Sequence, residues 1–92
     1  MDALSVAYGH IRVATRTLLD TPDPTGDALN WGLLGLDIEA AFDGLGVSPA
    51  VDVPEAAPTV ALAAASDVLE TIRGSVPLGV VAMVTDLRRQ VS

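Results

Sequence analysis

LNWGLLGLDIEAAFD, residues 29–43, is apolar on nearly every side of a helix, and its reading decides the fold. Leu29, Leu33, Leu36 and Ala40 recur at steps of four and three, and Trp31, Leu34, Ile38, Ala41 and Leu45 form a second line beside them. Such spacing is that of an α-helix, and a helix greasy on most sides is expected to lie centrally in its domain. The remaining strip is narrow: Gly32, Gly35, Glu39 and Asp43, with Asp37 to one side. Two glycines inside a helix cost about 1 kcal/mol each against alanine, so close backbone packing, or a break near Gly35, is expected to account for them.

Outward from this segment, three more helical patterns appear. Leu4, Tyr8, Ile11, Thr15 and Leu18 make one stripe, widened by Ala7, Ala14 and Leu19, with Asp2 placed to cap it and Ser5, Gly9, Arg12 and Arg16 on the polar side. Thr21-Pro22-Asp23-Pro24 stops that helix, because neither proline donates to its ladder, and Asp23 or Thr25 is expected to cap the next one. After Gly44 and Gly46, a stretch carrying Pro49, Asp52, Pro54, Glu55 and Pro58 has no period and is expected to be a long acidic surface loop. Ala61, Ala65, Val68 and Ile72, with Leu62 and Leu69, mark a third helix that ends at Gly74. Ser75 and Pro77 suit the start of a fourth, which carries Val80, Val84, Leu87 and Val91, with Arg88 and Arg89 in its last turn. The expected helices are residues 3–20, 25–43, 59–73 and 77–91. The expected fold is all-α: a small four-helix bundle, one domain over residues 1–92, built from two antiparallel helical hairpins with the long loop between helices 2 and 3.

Charge is unevenly placed. Seven of the twelve carboxylates (Asp23, Asp27, Asp37, Glu39, Asp43, Asp52 and Glu55) fall in the central third, where no Arg, Lys or His occurs, while the two flanks are each neutral. The net charge of -7 and the lack of any lysine argue against a phosphate-backbone partner, so no nucleic acid is expected. With no cysteine there is no disulfide, thiolate or thiolate–metal chemistry. No basic segment precedes an apolar run at the start, and Val76 to Val84 is well short of the roughly 20 residues that span a bilayer, so a cytoplasmic protein with no membrane association is expected. The alanine-rich, arginine-only usage resembles that of a GC-rich bacterial genome.

Catalytic signatures are lacking. His10 is the only histidine, and no carboxylate stands three or four places from it; no Gly-x-Ser-x-Gly surrounds a serine, and Gly32 to Gly35 and Gly44 to Gly46 lack the strand and lysine of a phosphate cradle. No enzyme, metal or cofactor is expected. Half the residues are hydrophobic in a chain too short to hide them all. The expected function is therefore a non-catalytic protein-protein interaction or assembly module, most simply a homodimer. Trp31, Leu33, Leu34, Ile38, Phe42, Val80 and Val84 are its interface candidates, and Asp37, Glu39, Asp43, Asp52 and Glu55 an acidic surface facing solvent or a basic partner. An antiparallel pair turning near Asp23 would set Arg12 level with Leu33, leaving Glu39 about 9 Å beyond it and the arginines nearer Asp27. The alternative is a small-ligand or cation-binding bundle that uses Asp37, Glu39 and Asp43.

The run Leu34-Gly35-Leu36-Asp37-Ile38-Glu39 resembles the Leu-Gly-x-Asp-Ser motif of acyl carrier proteins, and Val53-Pro54-Glu55 is similar to a later segment of that family. The resemblance covers about six residues. The modified serine would fall on Ile38, so it implies a degenerate carrier that meets carrier-dependent enzymes without a phosphopantetheine arm. Trp31-Gly32 departs from the Trp-x-Gly turn of small secreted helical hairpins, since its glycine stands one place early.

Overall fold

The computed structural model describes residues 2–23 and 25–91, and Pro24, one of the two expected helix stops, lies outside them. The described residues form four α-helices, α1 (Ala3–Asp20), α2 (Asp27–Gly44), α3 (Pro58–Thr71) and α4 (Leu78–Val91), with a short 3-10 turn over Arg73–Ser75. Among the described residues there is no strand. The all-α bundle read from periodicity is the observed fold.

Local chemistry sets the boundaries. Asp2 accepts a hydrogen bond from the Leu4 amide and starts α1 as expected. The second helix begins at Asp27, two residues later than expected, because Gly26 at φ 80° is its N-cap. Asp23 nevertheless holds that end: its carboxylate accepts from the Thr25 amide and hydroxyl and, at 3.0 Å, from the Ala28 amide, and these bonds keep its pKa below the usual carboxylate value. At the other end Gly46, at φ 76°, donates to the Asp43 carbonyl and Val47 donates to that of Phe42. This is a Schellman closure, with Val47 packed against the core as such closures favour. The third helix stops before Gly74, which lies in the 3-10 turn with Ser75, and the Pro77 carbonyl accepts from Val80 to open α4.

The principal contacts place α1 beside α2 and α3, and α4 beside α3 and α2. Helices consecutive in the chain, α2 and α3, therefore sit at diagonal corners. The connection between them is a strap laid over α1. The Ala50 amide donates to the Ser5 carbonyl at 2.9 Å, and Gly9 is buried because a Cβ there would meet Val53 at 2.6 Å and the Ala50 carbonyl at 2.9 Å. Gly9, expected on the polar stripe, is thus a docking notch for the strap. The strap itself is only partly a surface loop, since Val47 and Ala56 pack on the core.

That core is aliphatic, drawn from Ala7, Ile11 and Ala14 of α1, Ile38 and Phe42 of α2, Leu62, Ala65 and Leu69 of α3, and Val80, Val84 and Leu87 of α4. Within it Tyr8 stacks on Phe42, with ring centroids 5.1 Å apart and planes 18° from parallel.

Candidate interaction surface

Glycines choose which side of α2 turns inward. Ala28, Gly32, Gly35, Ile38 and Phe42 are its buried residues. At Gly35 an added Cβ would run into the hydroxyl and methyl of Thr15, and at Gly32 it would lie 2.5 Å from the Leu19 side chain. The strip that the sequence presents as polar is therefore the close-packed seam with α1, and α2 lies at a corner rather than at the centre. The inferred close backbone packing is present; the inferred central position is not.

The consequence is an apolar outer face. Leu29, Leu33 and Leu36 are 55%, 50% and 44% exposed, and Ala40 continues their line. At 100° per residue the four positions fall within a sector of about 60°, a ladder along the outside of α2. Asp37 borders it on one side, with Glu39 and Asp43 on the other. Leu34 lies beyond Asp37, toward α4, where it lines a small crevice of about 60 Å³ with Ile38, Met83 and Leu87.

The interface candidates divide accordingly. Leu33 and Leu34 are exposed and Trp31 is half-buried against the core. Ile38, Phe42, Val80 and Val84 are buried within the chain's own core, which corrects their selection as surface anchors. Apolar or aromatic character in a sequence does not separate a core position from an interface one. Leu29 and Leu36, on the same line of the sequence as Leu33, are exposed beside it.

The acidic candidates do not converge. Among the described residues no group of three or more His, Cys, Asp or Glu side chains is arranged to hold a metal ion. Asp37 and Glu39 sit on opposite borders of the ladder, against a joint cation site. Asp43 accepts a 2.6 Å hydrogen bond from the Tyr8 hydroxyl, a contact the sequence did not signal. Burial and that bond push the Tyr8 phenol up to about 12. Glu39 is half-buried, and its desolvation raises its pKa against the opposing pull of Arg12 and Arg16.

Those arginines correct the expected register. Contacts of Tyr8 with Asp43, Thr15 with Gly35 and Leu19 with Gly32 pair rising numbers on α1 with falling ones on α2, the sense of an antiparallel pair. They centre the turn near residue 25, so Arg12 comes level with Glu39 rather than Leu33. Asp52 and Glu55 lie exposed on the strap. Beneath the strap an open groove of about 350 Å³ runs along Gly9, Arg12, Val13 and Arg16 to Val53, and a wider one of about 760 Å³ continues past Thr17 to Glu55 and Ala57. His10 is half-buried and its pKa is lowered by that burial. No described helix is long and apolar enough to cross a membrane.

Comparison with protein-family models, with curated proteins and with solved structures gave no significant match. The position of the carrier serine, Ile38, is 1% exposed in the core.

Proposed function

We propose that this chain is a non-catalytic interaction module that works by seating a partner's helix on the outer face of α2. The supporting observation is the ladder of Leu29, Leu33 and Leu36, each about half exposed on a helix whose other side is fully packed. Scattered exposed leucines are ordinary on a soluble domain, but three in register along one helix face, framed by carboxylates, have the spacing of helix-in-groove anchors. Burial of such anchors drives association and the charged border sets its specificity.

The test is photo-crosslinking in cells that make the protein. A photoreactive residue replaces Leu33 in one variant and Asp67, exposed on α3, in another. A discrete adduct from position 33 and none from position 67 is the expected result, and its mass separates a second copy from a different protein. Equal labelling from both positions, or none from either, ends the proposal.

A further inference from the structure

The occupant of the α2 ladder follows from the charge around it, and this inference rests on the interaction-module reading above. Between Thr17 and Thr71 the chain has no basic residue, and α2 itself carries Asp27, Asp37, Glu39 and Asp43. Of these, Glu39 lies under the influence of Arg12 and Arg16. Asp43 is bound to a neutral phenol, and Asp37 is exposed with no ion pair among the described residues. Among the described residues the ion pairs are Arg73 with Glu70 and Arg89 with Asp86, at 3.6 Å each, and neither involves a carboxylate of α2.

A second copy of the chain is poorly suited to such a face. Two α2 helices crossing antiparallel about the midpoint of Leu33 and Leu36 would set both Asp37 side chains on the same border, about 8 Å apart along the axes. Parallel helices about a two-fold axis would set Asp37 of each against the border of the other that carries Glu39 and Asp43. Either arrangement removes like charges from water together, which disfavours the pairing. A helix with a leucine ladder of its own and lysine or arginine on both borders meets the same surface with opposite charge.

We infer that the outer face of α2 takes an amphipathic helix with basic flanks, supplied by a different protein, in preference to a second copy of this chain. Partner leucines would interleave with Leu29, Leu33 and Leu36, and partner cations would reach Asp37 on one border and Asp43 on the other.

The experiment uses the full chain and two synthetic helical peptides that share leucines at i, i+4, i+7 and i+11. One carries lysine at the flanking positions, the other glutamate. Binding is measured by calorimetry at low and high salt, and the mass of the chain alone by light scattering at two concentrations. The expected result is that the lysine peptide binds about tenfold or more tightly than the glutamate peptide and weakens with salt. Leu33→Asp abolishes the binding, and Asp37→Lys, which leaves the ladder intact, narrows the preference. Equal affinity for the two peptides overturns the basic partner while leaving α2 as the docking face. A dimer that strengthens with salt and is lost in Leu33→Asp makes the second copy the occupant. Failure of both peptides overturns the inference, and the crosslink from position 33 then decides separately whether the face docks anything.

Discussion

Replacing Gly35 by alanine should destabilise the protein although it improves helix propensity. The added methyl would strike Thr15, whose Cβ and Cγ2 would lie 3.1 and 3.2 Å away, with the hydroxyl closer still. Thr15 cannot readily yield. It is fully buried and β-branched, and its hydroxyl donates to the Ile11 carbonyl at 2.8 Å. Rotating it strands a buried hydroxyl, at about 1–3 kcal/mol, and separating α1 from α2 instead incurs an overpacking cost of similar size. Against this stands a propensity gain of about 1 kcal/mol. The net loss is up to about 2 kcal/mol, centred on about 1 kcal/mol, a fall in Tm of up to roughly 15 °C for a domain of this size. Urea unfolding followed by Trp31 fluorescence and circular dichroism measures it. Gly79→Ala, with nothing near the new methyl, is the control and should be neutral or stabilising by under about 1 kcal/mol. Combining Gly35→Ala with Thr15→Ala should recover about 1 kcal/mol relative to the sum of the single losses. A Gly35→Ala protein as stable as the parent would refute the close seam, and with it the reason that α2 turns its leucines outward.

Three further outcomes are expected. Tyr8, the only tyrosine, should show its phenolate absorbance in the folded chain at about pH 12 instead of the ordinary 10.0. Its bond to Asp43 stabilises the fold fully below pH 10.0 and is lost as pH rises through about 12, and Asp43→Asn should lower the transition. Glu39 has a folded pKa raised above its ordinary 4.5, so folding is penalised above the folded pKa and the penalty fades as pH falls past 4.5; Glu39→Gln should therefore melt higher than the parent at neutral pH, with the gap closing in acid. Phe42→Ala should lose about 3–5 kcal/mol from a fully buried site stacked on Tyr8, enough to populate the unfolded state in thermal melts, whereas Asp52→Asn on the exposed strap should shift Tm by no more than about 2 °C.

The helices were legible because their signals are local. Asp2 at one cap, Gly46 at another and the stripe from Leu4 to Leu18 act within a turn or two of where they stand. What was not legible depends on numbers set by the turn between α1 and α2. Counting from Asp23 placed Arg12 six residues from its true level, because Gly26 at positive φ delays the start of α2. The strap escaped detection for a different reason. Its hold on α1 depends on the absence of a side chain at Gly9 and on a single bond from Ala50 to Ser5, neither of which has a periodic signature.

On the outward face of α2, hydrophobicity and packing size give opposite answers. Turning Leu29, Leu33 and Leu36 inward would bury about half of each side chain further, at about 1.5–3 kcal/mol per whole leucine, or about 2–4 kcal/mol in all. It would also expose Gly32 and Gly35 and force α1 away, since leucines do not fit against Thr15 and Leu19 at the separation the glycines allow. A sequence shaped for monomer stability alone has a simple remedy, polar residues at positions 29, 33 and 36 with the glycine seam unchanged, and solubility would improve as well. This chain keeps leucine at all three positions and sets carboxylates on both borders. That arrangement is the one the proposed partner helix would meet: apolar anchors in a row with charge on either side.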